Sequence, residues 1–200
     1  MEFSQEHIVQ LIPALLLGIG LSAASGFRIF VPLLVANLAA KFGIFQLADN
    51  MSWMAETPTT IVLMVALVFE MAAYYVPVLD NLLDTIAAPV AVGAGTLLTT
   101  SFLQIDDPMF QWGIGLLAGG GVAGTVQAGT SLLRLGSTKF TGGLGNGILS
   151  SVENALSVFI SLFAVWIPVL IGIGVLFAVM WIWRKLYDRF KQKDVSTATQ

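Results

Sequence analysis

Two glutamates lie inside stretches that are otherwise apolar, and they are the side chains best placed to do chemistry. Glu70 lies within the apolar run of residues 59–79, and Glu153 lies near the start of the run of residues 148–183. A charged side chain at the centre of a membrane helix costs about 2.5 to 3.5 kcal/mol, and such residues often bind ions or carry protons. The alternative is structural, with each carboxylate pairing with an arginine or capping a broken helix. Either interpretation places both glutamates inside a helical bundle.

A short polar segment that ends in Arg28 is a candidate substrate-binding element. Residues 22–28 read Ser-Ala-Ala-Ser-Gly-Phe-Arg and end the first apolar run. N–H groups freed at a helix break could hold an anion together with the guanidinium. Alternatively, Arg28 extends to the lipid head groups at the membrane surface. Residues 125–130, Thr-Val-Gln-Ala-Gly-Thr, are a weaker echo followed by Arg134, so we expect two related helix breaks with the site between them.

The predicted site draws on both segments and on the glutamates. Its coupling residues are Glu70, Glu153 and Asp84. Asp84 follows Asp80 by one helical turn, so their carboxylates share a helix face, and Asp80 is the better candidate for an ordinary cap. The predicted substrate-binding residues are Ser22, Ser25, Gly26, Arg28, Thr125, Gln127, Gly129, Thr130 and Asn154.

The sequence gives little support to other kinds of site. Residues 119–124 satisfy G-x-G-x-x-G, but no strand precedes them, so a dinucleotide site is not expected. The sequence has no cysteine and a single histidine, His7, so we expect no metal site of the usual kind and no cofactor. No nucleophile lies near a general base, so we expect no enzyme; the weakest hypothesis is a lipid-modifying activity of Asp80 and Asp84.

Composition predicts an all-α membrane protein. Of the 200 residues, 56% are hydrophobic and 10% are charged, whereas a soluble domain has about 25% charged residues. Five basic residues between 184 and 193 follow the aromatic anchor Trp181-Ile182-Trp183, which predicts a cytoplasmic C-terminus by the positive-inside rule. Because topology explains these charges, nucleic-acid binding is not expected.

The apolar runs and their interruptions predict the membrane elements. We expect apolar helices over residues 8–24, 27–43, 59–79, 80–102 and 109–134, and a loop or re-entrant backbone over 135–147. The run 148–183 would be about 54 Å long as one helix, whereas the hydrocarbon core is about 30 Å thick. We therefore expect it to bend between Ala164 and Pro168.

Three landmarks recur in the same order and suggest an internal duplication. Positions 22 and 26 match 125 and 129, position 70 matches 153, and the Pro-Val-x-x-Gly-x-Gly motif at 89–95 recurs at 168–174. If residues 27–43 dip into the membrane and return, each half has three spans and the second half is inverted, a plan common in transporters. The rival arrangement has seven spans, with residues 27–43 crossing and the N-terminus outside.

The favoured arrangement divides the chain into three parts and suggests a function. The parts are a first membrane repeat (1–103), a second membrane repeat (104–184) and a cytoplasmic basic tail (185–200). We expect a small secondary transporter or carrier for a small anion or an amphipathic, lipid-like molecule, with proton or cation coupling. The alternative is a non-transporting membrane protein that binds lipid or stabilises a membrane complex. Expected partners are membrane lipids, an unknown small-molecule substrate and, through the glycine-rich helix 109–134, a second copy of the chain.

The chain resembles a family of small bacterial membrane proteins catalogued as domain of unknown function 4126. The resemblance rests on the segment 22–28, on residues 70–84, and on residues 127–130 together with 142–146, Gly-Gly-Leu-Gly-Asn. It covers about residues 8–183. It implies a multi-pass protein of the bacterial inner membrane and brings no established activity, so the expected function rests on the residues above.

Overall fold

Helix α1, Gln5–Ser25, is the centre of the bundle, because most of the other helices pack on it. Its residues Leu17, Leu21 and Ala24 are completely buried. This computed structural model describes residues 5–73, 77–141 and 145–197, and side chains are not described for residues 5–8, 77–85, 141, 186 and 189–197. Within the described ranges the structure is helical and has no strand, which confirms the all-α prediction.

The remaining elements follow in chain order. They are α2 (Phe30–Lys41), a 3₁₀ helix (Asp49–Ala55), α3 (Thr57–Ala73), α4 (Pro77–Phe102), α5 (Pro108–Ile114), a π-helical segment (Gly115–Gly120), α6 (Gly121–Thr141), α7 (Asn146–Trp166) and α8 (Pro168–Thr197). The domain boundary predicted after residue 103 falls in the loop between α4 and α5. The boundary predicted after residue 184 falls inside α8, which runs through it.

Local sequence chemistry explains two of the helix boundaries. Asp107 accepts hydrogen bonds from the backbone N–H groups of Met109 and Phe110, and Pro108 takes the first helical position of α5. The apolar run 148–183 breaks at Ile167, where α7 ends and Pro168 begins α8. This break confirms the bend predicted between Ala164 and Pro168.

Glycines let α4 and the π-helical segment approach closely. A methyl group on Gly95 would lie 2.6 Å from the carbonyl oxygen of Gly119, and one on Gly120 would lie 2.6 Å from Oγ1 of Thr96. Backbones that touch in this way are typical of membrane helices with small residues at their contact. The glycines at 115, 119 and 120 therefore pack against α4 within the chain.

Two sequence-based expectations about the second half are wrong. Residues 125–130 do not break a helix, because they lie inside α6, and residues 135–141 continue that helix rather than forming a loop. The hydroxyls that suggested a break bond to the helix itself: Thr125 Oγ1 donates to the carbonyl of Gly121, and Thr130 Oγ1 donates to that of Gln127. Residues 142–144 lie outside the described residues. The irregular turn of this region is the π-helical segment upstream.

Several helices are apolar enough for a membrane. Asn146–Trp166 and the first part of α8, Pro168–Lys185, are long enough to cross it, and the 3₁₀ helix with α3, bent by 59°, forms a third candidate span. Shorter apolar helices cover Val9–Ser25, Phe30–Lys41 and Ile86–Phe102. Apolar side chains are exposed around α3, α7 and α8, as expected of lipid-facing helices. The structure is that of a helical membrane protein.

Candidate functional site

The connection between α1 and α2 is a tight turn pressed against α6. The N–H groups of Gly26, Phe27 and Arg28 still donate to carbonyls of the last turn of α1, and α2 begins at Phe30. A methyl group on Gly26 would lie 2.6 Å from the carbonyl oxygen of Ala123 and 2.6 Å from Cβ of Val126. The glycine thus allows the two segments singled out in the sequence, 22–28 and 125–130, to meet.

Glu70 caps the helix that starts after this turn. Its Oε1 accepts the N–H of Ile29 at 2.8 Å, and its Oε2 accepts the N–H of Phe30 at 3.1 Å. The first N–H groups of a helix have no partner within it, and a negative charge is favourable at that end. Glu70 is 7% exposed, and Arg28 lies near enough to act on it electrostatically. These contacts match the structural alternative stated for Glu70.

Glu153 joins both arginines from its position on α7. Arg134 donates from Nε to Oε1 of Glu153 at 3.2 Å and from Nη2 to Oε2. Nη2 of Arg28 lies 3.6 Å from the same Oε2. Glu153 is 2% exposed, Arg28 1% and Arg134 7%. Because these charges have little access to water, their mutual attraction is strong and removal of any one is costly.

Ser150, whose hydroxyl is one of those in the sequence that could bind a substrate or bond between helices, completes the cluster. Its carbonyl oxygen accepts Nη2 of Arg28 at 3.1 Å, and its hydroxyl accepts Nη2 of Arg134 at 3.3 Å. The signal for it was the spacing, since residues 150, 153, 157 and 161 fall on one face of α7. Ser157 on that face donates to the carbonyl of Ala24, and so ties α7 to α1.

The structure assembles these residues into one ionic cluster, composed of Arg28, Arg134, Ser150, Glu153 and Glu70. It joins the α1–α2 turn and α3 from the first half to α6 and α7 from the second. Both guanidinium groups pair with Glu153, and Glu70 binds backbone N–H groups beside Arg28, so the fixed charges of the cluster balance when both carboxylates are ionised. Guanidinium groups suit carboxylate or phosphate groups of a ligand equally well, and buried carboxylates suit proton transfer.

Other predicted residues of the first half support helix packing rather than this cluster. Ser22 Oγ donates to the carbonyl of Gly95 at 2.8 Å and lies 3.0 Å from Oγ1 of Thr99. Ser25 Oγ donates to the carbonyl of Ser22. Both hydroxyls are fully buried, and they fix α1 to α4 and close its last turn.

The predicted residues of the second half divide by helix face. Gln127 is buried, and its Nε2 lies 3.4 Å from Oγ of Ser131. Thr125 accepts a hydrogen bond from Nε1 of Trp183 on α8, on an exposed face. A methyl group on Gly129 would meet nothing within 4 Å, and Asn154 is half-buried. Of the predicted coupling residues, the side chain of Asp84 lies outside the described part of the structure.

An open apolar groove of about 520 Å³ lies between α4 and α5. Its lining includes Val92, Gly93, Thr96, Trp112 and Leu116, and none of the ionic cluster. Thr96 bonds to the carbonyl of Val92, so the groove offers an apolar wall rather than a polar site.

Comparison with protein families identifies the family of the chain. The family model described as Domain of unknown function (DUF4126) matches residues 15–187, which include all the helices that form the ionic cluster. Searches of the curated proteins and of the solved structures found no match. The chain is a helical membrane protein with a buried ionic cluster, and it belongs to the DUF4126 family.

Proposed function

We propose that the protein is a small secondary transporter or carrier for a small anion or an amphipathic, lipid-like molecule. The observation that carries the proposal is the ionic cluster, which buries Arg28, Arg134, Glu70 and Glu153 where helices of both halves meet. Ionisable groups inside a membrane are costly, and they are typical of substrate and proton pathways. In this function the cluster is the midplane site, and the glutamates couple transport to protons or a cation.

The contacts of α2 support seven spans, with residues 27–43 crossing. The N–H of Phe30 donates to Glu70 near the end of α3, whereas Nζ of Lys41 donates to Oγ1 of Thr57 at the start of α3. α2 therefore runs along α3 in one direction and does not turn back, although its 12 residues make it only about 18 Å long. The rival arrangement of two inverted repeats, with the substrate site at their interface, requires both termini on the cytoplasmic side of the bacterial inner membrane, whereas seven spans place only the C-terminus there.

Cysteine labelling tests seven spans against the inverted repeats, and the chain has no native cysteine to interfere. Gln5→Cys and Ser52→Cys would be labelled separately in intact cells with a membrane-impermeant maleimide. Inverted repeats predict reaction of Ser52→Cys alone, because the two positions lie on opposite sides. Reaction of both variants would support seven spans and contradict the repeat arrangement.

Flux through the purified protein tests transport itself. The protein would be reconstituted in liposomes that enclose a pH dye, and inorganic phosphate, succinate or a fluorescent short-chain phosphatidylglycerol would be added with an inward proton gradient. We expect solute uptake with acidification, and loss of coupling in Glu70→Gln and Glu153→Gln. Glu56→Gln, which removes an exposed carboxylate, is the matched control. Unchanged coupled flux in both cluster variants would contradict a coupling role.

One observation favours the alternative of a non-transporting membrane protein. Both carboxylates of the cluster already bind groups of the chain itself, Glu70 the backbone of α2 and Glu153 two arginines. A purely structural cluster predicts that the variants lower stability and leave no solute flux to lose. Absence of flux for every added solute, with stoichiometric lipid retained in native mass spectra, would favour this alternative.

A further inference from the structure

The two buried arginines converge on a single carboxylate. Arg134 holds both oxygens of Glu153, and Arg28 approaches Oε2 from the other side at 3.6 Å. A guanidinium presents parallel N–H groups that match the two oxygens of a carboxylate or phosphate group. Glu153 therefore shows what kind of group the arginine pair accepts, a planar or tetrahedral oxyanion.

The charge balance of the cluster limits how such an anion can enter. With both glutamates ionised, the two positive charges of Arg28 and Arg134 are balanced, and Glu70 remains bound to the N–H groups of Ile29 and Phe30. One added monovalent anion would leave an uncompensated negative charge in a site with almost no exposure to water, which is strongly unfavourable. Uptake of one proton with the anion removes that cost.

Glu153 is the group whose partners the anion would take. Arg28 and Arg134 are the charged side chains that face it in the described part of the chain, and Glu70 caps α2, which starts two residues after Arg28. The described side chains of α1, residues 9–25, and the rest of α7 carry no charge. On the other helices that pack against α7, the described charged side chains besides Arg134 are exposed: Lys41, Lys139, Arg184, Lys185 and Asp188.

We propose that Arg28 and Arg134 bind the oxyanion group of the substrate in exchange for Glu153, which takes up one proton as it is displaced. The substrate class is a monovalent oxyanion, a carboxylate or a phosphate monoanion, and it moves with one proton and no net charge. This inference rests on the proposed function, because it names the substrate class and coupling of the same site.

The exchange balances in charge and in hydrogen bonds. Before it, Glu153 accepts hydrogen bonds from Arg134 and forms an ion pair with Arg28 at 3.6 Å; after it, the anion takes those contacts and Glu153 is a neutral carboxylic acid. The proton comes from water on the side from which the anion enters. A displaced carboxylate that kept its charge would be buried without partners, which is far more costly than protonation. Anion affinity therefore rises as the pH falls.

Proton uptake on anion binding tests this exchange directly. The full-length protein in detergent, weakly buffered with a pH dye, would be titrated with sodium formate at matched pH, and with sodium chloride as the ionic-strength control. We expect about one proton per protein at saturation, and an affinity that rises about tenfold for each unit of pH decrease. Chloride should give no uptake. Formate binding without proton uptake, or no formate binding, would overturn the proposal.

A charge-balanced double variant keeps the test valid if single variants fail to fold. Arg134→Gln with Glu153→Gln removes one charge of each sign, so Arg28 and Glu70 still balance. We expect it to fold and to lose formate-dependent proton uptake. The matched control, Lys139→Gln with Glu56→Gln, makes the same change at exposed positions and should retain uptake. Uptake that survives in the cluster variant would overturn the assignment to Glu153.

Lipid discs identify the source of the oxyanion. If the natural ligand is a lipid head group, formate-dependent uptake seen in detergent should persist in phosphatidylcholine discs and fall in phosphatidylglycerol discs. If the ligand is a soluble anion, uptake should be equal in both. Proton-coupled binding without liposome flux would end the transport proposal and leave this inference standing. Liposome flux without coupled formate binding would support the transport proposal and overturn this inference.

Discussion

Glu70 and Glu153 hold matching places in the sequence pattern, yet they bind different kinds of partner. Glu70 accepts hydrogen bonds from two backbone N–H groups at the start of α2, whereas Glu153 forms ion pairs with two guanidinium groups. Backbone N–H groups carry partial charges, whereas each guanidinium carries a full one. Loss of Glu70 therefore removes a helix cap, whereas loss of Glu153 leaves two buried positive charges without a negative partner.

The two segments predicted as helix breaks also differ from each other in local structure. The first, around Gly26, is a true turn that packs against the second, while the second stays helical within α6. Only one of the two segments interrupts its helix, so the two halves are not equivalent in local structure. The comparison predicts unequal effects of matched substitutions.

Glu153→Gln should give the largest effect. It leaves Arg28 and Arg134 buried with a neutral partner, and breaking a buried ion pair from one side costs about 3 to 5 kcal/mol. The measurement is the unfolding midpoint in detergent, with Glu56→Gln as the control. A loss of stability no greater than that of the control would show that another group neutralises the two arginines.

Glu70→Gln should give a smaller loss, because the amide oxygen still accepts one of the two N–H groups. We expect about 1 to 3 kcal/mol, with faster hydrogen exchange confined to residues 29–33 at the start of α2. Equal acceleration in α7 would break the distinction, since it would show that the two glutamates act as one unit.

Gly26→Ala should destabilise the protein, while Gly129→Ala should not. The new methyl group at Gly26 would overlap Ala123 O and Val126, and overpacking costs about 1 to 3 kcal/mol. At Gly129 the space is open, and alanine improves helix propensity by up to about 1 kcal/mol. Thermal unfolding of both variants measures the difference; the same shift in both would contradict the close contact at Gly26.

Ser22→Ala and Thr125→Val should give the smallest difference in the free energy of unfolding. Ser22 bonds across to α4, and interhelical hydrogen bonds in membranes contribute about 0.6 kcal/mol on average. Thr125 donates to its own helix and accepts only a longer, exposed bond from Trp183, at 3.3 Å, so its replacement should cost less. Unfolding of the two variants in detergent measures this difference. A larger loss of stability for Thr125→Val would contradict the prediction.

Much of the helical architecture followed from local chemistry. The bend before Pro168 was predicted, because it depends on neighbouring residues and backbone geometry, and the cap at Asp107 with Pro108 in the first turn of α5 is equally local. The break at residues 125–130 was wrong for a related reason. Hydroxyl groups that favour a helix end can also bond to the carbonyl one turn earlier, and the sequence does not show which bond forms.

The sequence by itself determined that Arg28, Arg134, Glu70 and Glu153 would need partners, since charged groups in apolar helices must be neutralised or hydrated. Only the tertiary structure decided the pairing. Glu153 binds both arginines and Glu70 caps α2, because the turn at Gly26 lies against α6 and brings residues far apart in the chain within hydrogen-bonding distance. Partner choice depends on that approach of distant helices, which no local pattern encodes.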